Sequence, residues 1–125
     1  HEHAQYMFIQ VPLFGLSTFI EHSFPNVFPR VLSSGHTHLF TRSSLAYLFD
    51  EFKLNPLAEW HFGTDSMDLK RSFNIQLQKS LASEYIKEIF NEQFYSAQFM
   101  DEFQSLIDRH FLGSQTHVIL SRNHI

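Results

Sequence analysis

Residues 6–13, YMFIQVPL, constrain the fold more than any other stretch of this chain. They carry no charge, mix aromatic with β-branched side chains, and are closed by Pro12 and Gly15, which predicts a strand rather than a helix. Near-continuous apolarity predicts burial on both faces, as in a parallel sheet with helices on each side. Pro12 then belongs at the strand end, because it has no N–H to give to a ladder.

The remainder of the chain supplies the helices. Residues 14–37 form a long connection broken by Pro25, Pro29 and Gly35 and studded with Phe14, Phe19, Phe24 and Phe28. A structureless loop of that length is uncommon, so a short helix is expected within 17–22 or 26–32. An apolar connection just past a strand end is also well placed to cover a ligand pocket. Residues 42–53 show Leu45, Leu48, Phe49 and Phe52 at helical spacing. Thr41 is the expected N-cap, with Ser44 rather than Glu at the third position, a cap without a full capping box. Residues 57–63 alternate Leu57, Glu59 and His61 against Ala58, Trp60 and Phe62, a strand into which Asn55 and Pro56 turn.

Residues 66–79 read as a helix capped by Thr64 or Asp65, with Met67, Leu69, Phe73 and Leu77 as its apolar set and Asp68, Lys70 and Arg71 on a solvated face. Residues 83–111 keep helical spacing through Ile86, Ile89, Phe90, Ala97, Met100, Phe103 and Ile107. They form one helix, or two with a break near Tyr95 and Ser96, and the Phe stripe reads as core. Gly113 is the expected stop. Residues 116–121 close the chain with a β-branched strand.

The chain has 125 residues, suited to a single domain over 1–125. Only four Gly and four Pro argue against a turn-rich barrel, and 15 Phe place much of the stability in ring packing. Net charge is −4 with nine scattered Lys and Arg, so no basic cluster is present to hold a phosphate backbone, and nucleic acid is not an expected partner. There is no cysteine, which removes disulfides, thiolate zinc sites and Cys nucleophiles and is compatible with a cytoplasmic location. No apolar run reaches about 18 residues, so no membrane span is expected. The first residues, HEHAQ, show no signal-peptide anatomy and read as the cut end of a larger chain or a vector remnant.

Four pieces, in order, the second made of two consecutive strings, resemble the C-terminal half of a class I S-adenosylmethionine-dependent methyltransferase. MFIQVP resembles the fifth strand of that family. GHTHLFTRSSLAYLFDEFKL resembles its His-x-x-x-Phe-Ser/Thr-x-x-Ser-Leu approach to the next helix, and NPLAEWHFG its sixth strand. FGTDSMDLKRSF resembles the segment beyond that strand in one subfamily, and MDEFQSLIDRHFLGSQTHVILSRN the closing helix and antiparallel seventh strand. The resemblance covers nearly the whole chain. It implies an α/β fold: part of a Rossmann-like sheet, small, mixed and three-stranded, in the order first–last–middle with the last strand antiparallel to its neighbours. It also implies an S-adenosylmethionine cofactor and a small-molecule acceptor. The family's Gly-rich turn and acidic second-strand residue have no counterpart here, since no G-x-G precedes residue 6. The chain therefore reads as an acceptor-side portion that does not bind the cofactor tightly by itself.

His36 and His38 draw attention first. Two apart on an extended segment, they face the same way, and a small His-based metal protein is one reading. A zinc site wants three or four ligands, and no Cys and no recognisable spacing supply the rest. The resemblance separates the two: His36 falls on the motif histidine, beside the acceptor pocket, where an imidazole suits proton removal from an acceptor. The bland alternative for His36 is a backbone hydrogen bond that fixes the approach to the helix. Leu13, Phe14 and Leu16 follow a strand end, where ligands of open α/β sheets lie, and are candidate acceptor contacts against a reading as core. His61 and Asp65 are further candidates, against a half-buried strand member and a helix cap. No residue is assigned to a metal or to the cofactor.

The expected function is thus methyl transfer to an O, N or C acceptor. A non-catalytic dimerisation or interaction module derived from such an enzyme is the alternative. The free edge of the first strand, normally paired with a fourth strand, predicts a homodimer built on that edge or on the Phe-rich helices.

Overall fold

The computed structural model describes residues 4–24, 29–31, 35–93 and 95–122. Along the chain run β1 (Tyr6–Pro12), α1 (Leu16–Ser23), α2 (Arg42–Glu51), β2 (Leu54–Phe62), α3 (Asp65–Lys79), α4 (Glu84–Gln93), α5 (Ala97–Arg109) and β3 (Gln115–Arg122). The fold is mixed α/β. Its three-stranded sheet has the order β1-β3-β2, and β3 is antiparallel to both neighbours. The expected first–last–middle order is therefore present, and β1 and β2 run parallel to each other on either side of β3. Their C-terminal ends meet at one point, since Pro12 and Phe62 both pair with Gln115.

β3 alternates strictly, with Thr116, Val118 and Leu120 buried. Val118 and Leu120 join Leu13, Leu45 and Phe49 in the core, with Ile9, Val11, Phe40, Leu48 and Leu54 packed around them. Thus α2 covers one face. The other face carries an aromatic patch: His117 touches Phe8, Trp60 and Phe62 at ring-centroid distances of 5.0, 5.1 and 4.3 Å.

The two-sided burial expected for residues 6–13 is not observed. Tyr6, Met7 and Phe8 are 56%, 42% and 57% exposed. The reason is position: β1 is an edge strand, and among the described residues β3 is the one element it packs against extensively. Its apolarity signals a second cover that these residues do not provide.

Several local expectations are also corrected. The Thr41 cap is a complete capping box, because Ser44 Oγ accepts from the Thr41 N–H at 2.9 Å while the Ser44 N–H donates to Thr41 Oγ1 at 3.1 Å. A short hydroxyl does the work usually given to Glu. α2 stops at Glu51, and Lys53, at φ 53°, turns the chain into β2. Asn55 and Pro56 lie within β2 rather than before it. The register shifts between Pro56 and Ala58, a bulge on an edge strand where a missing N–H is tolerated.

Of the two places considered for a short helix, 17–22 is α1, and 26–32 lies largely outside the described residues. The break near Ser96 is real, with the Phe99 N–H donating to Ser96 Oγ at 3.2 Å. α5 ends before Gly113, through a Schellman motif centred on Phe111 at φ 58°. The Phe111 N–H donates to Asp108 O and the Leu112 N–H to Ile107 O, both at 3.0 Å. Gly113 serves a different end: a Cβ there would sit 2.6 Å from Asp108 Oδ1, and one on Gly15 2.7 Å from the Gly113 carbonyl. The chain crosses itself too closely there for side chains.

Candidate functional site

The C-terminal rim of β1 and β2 is built on a buried polar knot. Of the apolar set expected for α3, Met67 and Phe73 are 45% and 41% exposed, and Leu69 and Leu77 are half-buried. The buried residues of α3 are Asp65, Ser66, Asp68 and Ser72. Asp68, expected on a solvated face, is therefore a second correction.

Asp65 is fully buried. Its Oδ1 accepts from the Ser17 N–H at 2.9 Å and the Ser17 hydroxyl at 2.6 Å, and its Oδ2 from the Ser114 N–H at 3.0 Å. Gly15, the N-cap of α1, has no side chain to meet the free N–H groups of that helix's first turn. Asp65 meets one from 48 residues away. The first turn of α3 is met in the same manner: Thr64 makes no side-chain cap, and the Ser66 N–H donates to Gln104 Oε1 at 2.9 Å. Asp68 is paired with Arg30 at 2.6 Å, and Arg30 also donates to the Ser114 hydroxyl at 3.0 Å.

Through Arg30 the knot reaches Val31, whose carbonyl meets His36. The Glu21 carboxylate accepts from the Arg30 and Val31 N–H groups at 2.8 and 2.6 Å, and His36 Nδ1 lies 3.1 Å from Val31 O. A carbonyl only accepts, so Nδ1 carries a hydrogen, and in the neutral ring the lone pair lies on Nε2. His36 itself is exposed. It lines two shallow grooves that meet at Pro12. One, of about 280 Å³, is shared with Gly35, Thr37, His38 and Phe40; the other, of about 210 Å³, with Gln10, Val11 and Gln115. Phe40 is held by backbone bonds to Pro12 O (3.0 Å) and from the Phe14 N–H (2.8 Å).

The other candidates lie elsewhere. Leu13 is core, 4% exposed. Phe14 stands against Phe19 at 5.3 Å, and the Leu16 N–H donates to Leu112 O. The His61 side chain is buried, with Nε2 2.7 Å from Glu59 Oε1 and its ring against Phe111 at 4.7 Å. Asp65 is spent on the bonds above. Of the residues expected at the acceptor site, His36 is placed at grooves of the rim.

His38 Nδ1 bonds its neighbour Thr37 at 3.0 Å, and no group of three or more His, Asp or Glu among the described residues is arranged to hold a metal. Gln10 and Gln115, joined at 3.2 Å, were not singled out in sequence. They face each other only through the β1–β3 register, which no local spacing reveals.

One carboxyl near the knot is perturbed. Burial pushes the Asp108 pKa above the usual carboxylate range. The Gln104 hydrogen bond opposes this, the Asp65 charge adds to it, and His61 opposes it. No helix among the described residues is long and apolar enough to cross a membrane. Comparison with protein-family models, with curated proteins and with solved structures finds no match to this chain.

Proposed function

We propose that this chain is the acceptor-side half of an S-adenosylmethionine-dependent methyltransferase domain of Rossmann-like type, acting on a small-molecule acceptor. The observation that carries the proposal is the position of β3: last in sequence, antiparallel, and inserted between two parallel strands. That is the order the sequence resemblance implies for the fifth, seventh and sixth strands. His36 supports it from the chemical side. It stands exposed at the C-terminal rim, where open α/β sheets bind ligands, with Nε2 free to take a proton from an acceptor.

The described residues do not themselves fit the cofactor. The turn after β1 has Gly15 alone, packed against Gly113 O, and the helix N-terminus beyond it already holds the Asp65 carboxylate. No step through the cofactor is therefore assigned to this chain; its part is to seat the acceptor and receive its proton.

The test is titration calorimetry with S-adenosylmethionine on this chain and on the longest product of its source gene. Binding by the longer product alone is expected. Tight binding by this chain, or a source gene without a Gly-rich first half, would overturn the proposal. The exposed Tyr6, Met7 and Phe8 favour a second reading, a non-catalytic interaction module. Lack of cofactor binding by the longer product would select it.

A further inference from the structure

The sheet has two edges, and they are built differently. The β2 edge carries Pro56, a register shift and Glu59, devices that discourage another strand from adding. The β1 edge has none of these between Tyr6 and Val11. Its residues are uncharged, and three of its apolar side chains are exposed.

The backbone of β1 can be followed group by group. The Leu13 N–H donates inward to Ser114 O, while Pro12 O accepts from the Phe40 N–H on the outer side. Alternation along a strand then points the backbone groups of Met7, Ile9 and Val11 toward β3, and those of Tyr6, Phe8 and Gln10 outward. Pro12, which has no N–H, occupies the last outward position.

We infer that the β1 edge is a self-association surface, and that its partner is a second copy of this chain in antiparallel pairing about Phe8. In that register Phe8 exchanges both hydrogen bonds with Phe8 of the partner subunit, and Tyr6 does so with Gln10 of the partner subunit. Every outward N–H and C=O of Tyr6, Phe8 and Gln10 is satisfied in both copies. Met7 meets Ile9 of the partner subunit on the α2 side, which covers a side chain that is 42% exposed. No charge lies in the paired segment, so a twofold arrangement brings no like charges together. Because the β2 edge is guarded, assembly stops at a closed dimer instead of an open fibre. The self-association is that of the 125-residue chain; in the longer product of the proposed function, a fourth strand would compete for the same edge.

The test is sedimentation of the 125-residue chain with two substitutions that leave the β1–β3 ladder intact. The parent is expected to dimerise at tens of micromolar. Gln10→Pro removes an outward N–H, and with it the side-chain bond to Gln115, but no backbone bond to β3; Phe8→Lys sets two ammonium groups side by side at the twofold. Each should weaken the dimer by roughly tenfold or more while leaving the far-ultraviolet circular dichroism unchanged. Because the chain has no cysteine, Phe8→Cys tests the register directly: it should cross-link on oxidation, and Asn55→Cys on the β2 edge should not. A parent that stays monomeric at hundreds of micromolar would overturn the inference. So would a dimer that survives both substitutions, or one cross-linked at residue 55 and not at residue 8.

Discussion

α2 and α3 both follow a threonine at the N-cap position, yet they bury opposite chemistry. α2 turns Leu45 and Phe49 into the core, and its hydroxyls stay at its exposed N-terminus. α3 turns Asp65, Ser66, Asp68 and Ser72 inward and leaves Met67 and Phe73 partly in water. The first helix is held by an apolar contact that any side chain of similar volume sustains. The second is held by directed bonds to Ser17, Ser114 and Arg30, which few side chains can replace. The difference shows where the fold is tolerant and where it is specific. The specific part includes Arg30, next in sequence to the Val31 whose carbonyl His36 bonds.

The largest expected effect tests that contrast with two substitutions of similar size. Asp65→Asn keeps the shape but gives one acceptor position to an NH₂ group. Both Asp65 oxygens receive a backbone N–H, so either orientation sets donor against donor. A loss of about 3 kcal/mol in denaturant unfolding is expected. Leu45→Met, at a site 3% exposed, should cost less than about 1.5 kcal/mol because volume is nearly kept. Equal losses would erase the distinction between the two helices.

Arg30→Met should come next. It leaves the Asp68 carboxylate, 7% exposed, with only the 3.6 Å contact to Arg71 as a charged partner among the ion pairs of the described residues. A loss of about 2 kcal/mol is expected, smaller than for a sealed pair because Arg30 keeps a quarter of its surface in solvent. The His36 ring resonances should move as well, because Val31, its hydrogen-bond partner, adjoins Arg30 in sequence. Unmoved resonances would show that the knot does not position the rim. On α2, Ser44→Ala removes half of the capping box and should cost about 1 kcal/mol.

These two helices also divide what the sequence reveals. The α2 stripe and the β-branched run of β3 are local patterns, and both were legible; the strict alternation of β3 was read only from the structure. The α3 knot was not, because its partners lie 48 and 49 residues away and polar residues near a helix start ordinarily read as caps or solvated surface. β1 misled for a related reason: apolarity reports that a surface needs cover without saying whether the cover belongs to the same segment of chain. The α5 stop was misplaced because Phe111, a residue type that rarely takes positive φ, adopts the left-handed conformation two residues before the glycine. At the rim, His36 was visible through its motif, whereas Gln10 and Gln115 become neighbours only through strand register.

A smaller, pH-dependent effect belongs to the knot's border. The folded-state pKa of Asp108 is raised, chiefly by burial. Its protonated form therefore favours the folded state. The contribution is complete below the ordinary carboxylate range and is lost as pH rises through the raised value. Asp108→Asn cannot ionise, and its Oδ1 can still accept from Gln104 as the parent's does at 2.8 Å. The stability of the variant relative to the parent should therefore grow as pH rises across that window and then level off. A difference that stays constant from acid to neutral pH would remove Asp108 from the account.

The smallest effect on stability is expected at His36, and there the contrast between framework and rim is sharpest. The side chain is exposed and bonds Val31 O, so His36→Ala should change unfolding free energy by less than about 0.5 kcal/mol. Under the proposed function, the same substitution in the longer product should nevertheless lower methyl transfer by roughly two orders of magnitude, the usual contribution of a positioned general base, with little change in acceptor binding. His36→Gln keeps a hydrogen-bonding side chain but cannot take a proton at neutral pH, and so should not restore the rate. If instead His36→Ala unfolds the rim and His36→Gln restores both stability and rate, then His36 belongs with Asp65 as framework, and the rim loses its base.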